Sequence, residues 1–346
     1  MILPPQATAW SREHLRLHRS LLRQPELLPR GAALLLAVSG GQDSMALLGL
    51  LLGLQRLHGW RLVLWHGDHG WRDASARQAA ELAGWCAQRE LRLISDASSK
   101  DLEAGERAGG EQLSSEARAR AWRYQRLLLR AREQGCSHVV TGHTASDRAE
   151  TLLLHLARGS HRRGLGSLRA QRPLGDGVVL SRPLLLFSRG ETARICHDLD
   201  LPVWLDASNS DRRFSRNRLR HEVLPVLEQL HPGAARRLSG TAERLSREHD
   251  AQLEWQRIAL QWLASGEGDG LDRQRLNTLQ PVNRAAVLHL WLSTTTGSPC
   301  QARQIEDLMA RLGQGRGPGQ WDLGRGWQLH WDRSRLVLMP PPQPAP

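Results

Sequence analysis

Apolar and polar positions fall into alternating blocks along the first part of the chain. Ala33-Leu34-Leu35-Leu36-Ala37-Val38 is an unbroken apolar run bounded by glycines, the pattern of a parallel strand buried on both faces. After the Ser39-Gly40-Gly41 turn, Ser44–Leu57 predicts a strongly apolar helix. Arg61–Trp65 predicts a second strand, Ser75–Glu90 a helix and Leu91–Ser95 a third strand. Ser114–Gln134 reads as a long basic helix, His138–Thr141 as a strand and Asp147–Ala157 as another helix. Val178–Leu186 and a helix near Ser188–Leu199 complete the unit, and an Arg-rich amphipathic helix within residues 10–28 leads into it. Residues 97–112, small, charged and glycine-containing, predict a mobile loop. Strands alternating with helices at this spacing predict an α/β fold with a doubly wound parallel sheet.

The pattern changes after Trp204. From Asn217 to about Leu263 it is almost wholly helical, broken at Pro225 and Pro232, and helical periodicity returns at Val282–Leu292 and Ala302–Leu312. Trp321–Met339 alternates Trp, Leu and charged residues around Gly324 and Gly326, predicting a terminal β-hairpin. These changes predict a first domain over residues 1–210, a smaller, mainly helical C-terminal domain over 211–339 and a proline-rich disordered tail over 340–346. Trp255, Trp262 and Trp291 fall at helical positions in the second domain and are predicted as core.

Composition narrows the function. The 346 residues are 40% hydrophobic and 24% charged, enough to fill the cores of two domains. Lysine and arginine total 47 against 35 acids, a formal net charge of +12, and Lys100 is the single lysine. The excess is therefore arginine, which stays charged at any working pH and grips phosphates through a bidentate fork, so polyanions are natural partners. No apolar stretch reaches the ~18 residues of a membrane span, and Met1–Pro5 lacks the basic-then-apolar order of a secretory signal. Cys86, Cys136, Cys196 and Cys300 lie far apart with no C-x-x-C pair, which argues against a disulfide framework, a zinc ribbon or an iron–sulfur site. A cytoplasmic address with no membrane partner follows as the expectation.

The sharpest local signal is Ser39-Gly40-Gly41-Gln42-Asp43-Ser44, set between the buried strand and the apolar helix. Two glycines let the backbone approach a ligand closely and turn its N–H groups outward. The first helical turn offers unpaired donors and a positive dipole end to an anion. Asp43 is placed to hold a divalent cation against a phosphate. The loop is neither a Walker A sequence nor the dinucleotide G-x-G-x-x-G. Asp68-His69-Gly70-Trp71-Arg72 follows the second strand, at the edge where open α/β sheets bind ligands. Within Glu116–Tyr124, Arg120 and Arg123 stand three residues apart on one helix face. Asp147 and Glu150 share a face near a helix start, where acids favour the dipole, coordinate Mg²⁺ or polarise an attacking amine. Trp204–Asn209 leads into Arg216-Asn217-Arg218-Leu219-Arg220, a linker followed by a basic helix start.

The strand–SGGxDS–helix unit resembles the pyrophosphate-binding loop of the N-type ATP pyrophosphatases. Together with DHG-x-R, E-A-x-A-R-x-x-R-Y, D-x-A-E-T-x-L-x-x-L-x-R-G-S and D-x-S-N…R-N-x-x-R, it resembles the tRNA(Ile)-lysidine synthase family of that superfamily, over about residues 30–225. The resemblance implies a Rossmann-like ATP pyrophosphatase domain that uses ATP and Mg²⁺. Its substrates would be free L-lysine and a CAU-anticodon tRNA(Ile), and its members often form homodimers. Cytosine O2 would attack the α-phosphate with loss of pyrophosphate, and the lysine ε-amine would then attack C2 with loss of AMP. Ser39, Gly40, Gly41, Gln42, Asp43, Ser44 and His69 would bind the nucleotide, with Asp43 also holding Mg²⁺. Arg120 and Arg123 would stabilise the α-phosphate or position the cytidine phosphate. Asp147 would steer the lysine ammonium and accept its proton, and Glu150, Arg216, Asn217 and Arg220 would bind substrate. Arg158–Arg169, Arg212–Arg220, Arg236, Arg237 and Arg244 offer phosphate contacts to the tRNA.

The chain departs from that family at two points. Ala-His-His is usual where it has Gly142-His143-Thr144, and Asp-Gln is common where it has Asp147-Arg148. Sulfur-transferring relatives need paired cysteines and glutamine-dependent ones an amidotransferase nucleophile, and neither motif is present. A non-catalytic nucleotide- or RNA-binding module is the rival from another class.

Overall fold

The computed structural model describes residues 10–68, 73–98, 115–204, 212–265, 270–298, 300–313 and 317–341. The chain forms two compact units, Met1–Ser246 and Arg247–Pro346. The division falls after Ser246 rather than near residue 210, because Leu224, Leu227, Ala235 and Leu238 pack against Ala149 and Leu153 of the first unit. The loop expected over 97–112 and the tail expected over 340–346 fall largely outside the described residues.

The first unit is built on β1 (Ala33–Ala37), β2 (Arg61–Asp68), β3 (Leu93–Ala97), β4 (His138–Val140), β5 (Gln171–Gly175) and β6 (Val178–Ser181), in the order β3-β2-β1-β4-β6-β5. All neighbours are parallel except β5, which runs antiparallel to β6 along the edge. That edge strand escaped the sequence reading because Pro173 and Gly175 interrupt its pattern. β1 pairs on both sides, and its Leu34, Leu35 and Leu36 are fully buried, which explains its unbroken apolar run.

Helices cover both faces. α1 (Arg12–Arg23), α2 (Gln42–His58) and α3 (Asp73–Ala87) share one core, in which Leu17 and Leu21 of α1 meet Met45–Leu48, Leu50, Leu51 and Leu54 of α2. α2 is apolar nearly all round because it is buried nearly all round. α4 (Ser115–Glu133) covers the opposite face, where Trp122, Leu127 and Ala131 meet Leu35, Val63, Trp65 and Val139. The chain continues through α5 (Ala145–Ala157), α6 (Arg162–Leu165), α7 (Arg189–Asp198) and α8 (Ser215–Arg218), then a π-helical turn at Leu219–Val223, α9 (Leu224–Leu230) and α10 (Ala234–Leu263). Strand order reverses between β1 and β4, the position at which open α/β sheets carry their ligands.

The second unit adds α11 (Arg273–Thr278), α12 (Pro281–Thr296) and α13 (Ala302–Leu312) to a four-stranded sheet. The expected terminal hairpin is larger than the alternation implied. β7 (Leu271–Asp272), β8 (Gly319–Gly324), β9 (Trp327–Trp331) and β10 (Arg335–Met339) form an antiparallel sheet in the order β7-β10-β9-β8. Its last turn is closed by Asp332, whose carboxylate accepts from the Ser334 and Arg335 N–H groups at 2.7 and 2.8 Å. Trp291 is buried as expected, but Trp255 and Trp262 are 71% and 49% exposed, against the prediction that all three are core. Among the described residues no helix is long and apolar enough to cross a membrane.

Leu48 is fully buried in α2, whereas Leu22 of α1 is half exposed. Leu48→Ala is expected to lower unfolding free energy by about 2–5 kcal/mol and Leu22→Ala by less than about 1 kcal/mol, measured by denaturant titration.

Candidate active site

The turn after β1 is braced from within. The Ser44 hydroxyl donates to the Gly41 carbonyl at 2.8 Å and accepts from the Ser39 N–H at 3.1 Å. Gly40 adopts φ +80°, a conformation that side chains disfavour, and its carbonyl accepts from the Trp204 N–H at 3.0 Å. Gly41 caps α2 without a side-chain hydrogen bond, so the first-turn N–H groups stay available to an anion. The loop after β4 closes on this turn, and a Cβ on Gly142 would lie 2.9 Å from the Asp43 carbonyl. Glycine at 142 is what permits that approach.

Asp43 faces α7. Its carboxylate accepts from the Thr192 hydroxyl at 2.5 Å and from Arg189 at 3.1 Å. Burial, reinforced by the nearby Asp147 charge, pushes its pKa up to about 6 against the pull of Arg189. The Gln42 amide donates to the Arg189 carbonyl at 2.7 Å and to the Thr192 hydroxyl at 2.8 Å, so its side chain ties the loop to α7 instead of pointing at a ligand. Arg189 and Thr192 were not foreseen. The available signal was the capping box of Ser188 and Glu191, which marks a helix start but not what its first turn holds.

In the first two turns of α5, two buried acids meet two partly buried arginines in a quartet. The Asp147 carboxylate accepts from the Thr144 N–H at 2.8 Å and hydroxyl at 2.9 Å, completing the α5 capping box. Its other oxygen accepts from Arg216 and Arg220, both at 3.0 Å. Glu150, whose side chain is fully buried, accepts from the Nε atoms of Arg216 and Arg220 at 2.7 Å each. Burial opposes the charged form of Asp147, yet Arg216, the Thr144 N–H and Arg220 together hold its pKa below the ordinary carboxylate value. Of the roles read for these acids, the structure shows the helix-start one for Asp147, through its capping box.

The remaining predicted residues distribute unevenly. His143 bonds Thr141 at 2.9 Å, and burial first, then neighbouring arginines, lowers its pKa to about 3, so the imidazole is neutral. Arg120 and Arg123 are exposed on α4, with Arg120 lying 5.1 Å from the centre of the Tyr124 ring. Asn217 is buried in α8 beside the two paired arginines. His69 and residues 205–211 lie outside the described residues. Among the described residues no three His, Cys, Asp or Glu side chains gather into a metal site. Asp43 alone fits the sparse ligation Mg²⁺ accepts, one carboxylate beside substrate phosphates, and a cation there would relieve its buried charge.

Comparison with known proteins bears on the family and the fold. A PP-loop domain family model matches residues 14–227, and a TilS substrate binding domain model matches residues 271–337. A tRNA(Ile)-lysidine synthase of Parasynechococcus marenigrum is 52% identical over 97% of this chain and 97% of its own. The chain belongs to the tRNA(Ile)-lysidine synthase family. A second member, from Prochlorococcus marinus, is 41% identical over 95% of this chain and 97% of its own. The fold also resembles a U34-tRNA thiolase of Methanococcus maripaludis, with TM-score 0.57 and 18% identity, over 68% of this chain and 78% of that one. In this family member the phosphate loop, the β4 loop and the quartet converge on one sheet edge.

Two predictions follow from the charges. Because the folded pKa of Asp43 lies above its unfolded value, its ionised form weakens the fold as pH rises through about 4 to 6. Without nucleotide or divalent cation, Asp43→Asn is expected to raise stability by up to about 3 kcal/mol at pH 8 and by nothing near pH 3, read from denaturant titrations. Glu150→Ala removes one of the two carboxylates that Arg216 and Arg220 share and is expected to lower stability by about 3 kcal/mol, with Glu150→Gln milder.

Proposed function

We propose that this chain joins free L-lysine to C2 of the wobble cytidine in CAU-anticodon tRNA(Ile), with ATP activating the base, in the cytoplasm. Family membership supports the reaction. The observation that carries the residue assignment is the juxtaposition of an uncapped α2 N-terminus with Asp43 and the Asp147–Glu150–Arg216–Arg220 quartet.

In this reading the Ser39–Ser44 backbone holds the phosphates, using donors already oriented before a ligand arrives. Asp43 would hold Mg²⁺, which would supply positive charge against the pyrophosphate. Arg120 and Arg123, exposed on α4, would stabilise an α-phosphate under attack or steady the cytidine phosphate. A cavity of about 410 Å³ beside Glu150 and Arg220 is lined by Glu191, Glu228, Arg189, Arg194 and Arg236. Its mixed charge suits a zwitterionic amino acid such as free lysine. Asp147 is held ionised by its arginines, so it acts by fixing and orienting charge near the incoming amine and is a poor proton acceptor.

The test is incorporation of labelled lysine into a CAU-anticodon tRNA(Ile) transcript, with ATP and Mg²⁺, beside the initiator tRNA. Label on the first tRNA alone, with AMP and pyrophosphate released, is the expected result. Asp147→Asn is expected to reduce turnover roughly 100-fold or more while the protein stays folded. Pyrophosphate release without lysine transfer would overturn the assignment of the nucleophile.

A further inference from the structure

We propose that Arg120 and Arg172, set against the Tyr124 ring and backed by the buried charge of Arg182, bind a backbone phosphodiester of the RNA substrate next to the nucleotide being modified. This rests on the functional reading above and adds a contact point for its RNA.

The three arginines come from separate elements that meet at one edge. Arg120 lies in the first turns of α4, which begins at the end of the sheet where the parallel strands finish. Arg172 opens the antiparallel edge strand β5, and Arg182 follows β6 directly. The Arg120 and Arg172 guanidiniums lie 5.1 and 4.8 Å from the centre of the Tyr124 ring, and Arg182 is near enough to interact electrostatically with its hydroxyl. The phosphate loop follows β1, the neutral His143 follows β4, and this cluster follows β6, so the three stand in the order of adjacent strands. At the usual strand spacing the cluster is about 10 Å from the phosphate loop.

The charge balance points to an absent anion. In the Asp147 quartet both guanidiniums have carboxylate partners, but among the described residues none pairs with Arg120, Arg172 or Arg182. Arg182 is only 2% exposed, donates to the Arg169 carbonyl at 2.6 Å and keeps a buried Nε with no partner. Burial, then Arg172 and Arg120, lowers its pKa from the ordinary guanidinium value. Gathering cations without a counter-charge is unfavourable in the free protein and is offset when a polyanion binds. Two guanidiniums already overlie the Tyr124 ring, so the cluster offers charge to a phosphate rather than a bare face to a base.

The experiment titrates the full chain into fluorescent CAU-anticodon tRNA(Ile) at several salt concentrations, using wild type, Arg172→Gln and Arg172→Lys, with a parallel ATP titration. Arg172→Gln is expected to weaken RNA binding roughly tenfold at low salt, and to flatten the log–log salt dependence by about 0.7 to 1. Arg172→Lys should recover most of the slope, and ATP affinity should not move. An unchanged slope, or a loss confined to ATP, overturns the proposal. Lysine transfer by wild type is scored separately, so failure of the enzyme reading is distinct from failure of this contact.

Discussion

The site depends on the burial of two carboxylates, Asp147 and Glu150, against two guanidiniums, Arg216 and Arg220. Stripping water from four charges is expensive, and only mutual pairing with good geometry offsets it. The pairing therefore fixes three things together: the start of α5, the position of α8 and the π-helical turn that carries Arg220. A π turn inside a helical run is rare and often marks a functional position. Here it brings Arg220 within reach of both acids.

Asp43 lies at the margin of the same field. Asp147 raises its pKa while Arg189 and Arg220 lower it, so the phosphate loop and the quartet are electrically one site. The ionised, buried Asp43 weakens the empty protein, the usual trade between stability and a site prepared for a ligand.

Much of this was legible in the sequence. The parallel strands and α2 followed from apolar runs whose burial leaves no polar face, and the phosphate loop followed from two glycines between a strand and a helix. Asp147, Glu150, Arg216 and Arg220 were chosen individually, but their mutual pairing is a contact across about seventy residues that periodicity does not encode. Arg189 and Thr192 were hidden for the same reason. The exposed Trp255 and Trp262 show the converse error, since helical spacing of large apolar residues gives the face and not what covers it. The four-stranded terminal sheet was undercounted because an aspartate-closed turn carries no glycine to announce it.

The near-absence of lysine from this chain bears on the selectivity of the bond it makes. Lys100 lies outside the described residues, so no described side chain carries a primary amine. A guanidinium remains protonated and does not compete as a nucleophile at neutral pH. In the proposed reaction the cations nearest the phosphate loop and the quartet, Arg189, Arg216 and Arg220, are thus groups that cannot attack an activated base. A free amine from solution, as the proposed reaction uses, therefore meets no competitor among the described side chains of the site.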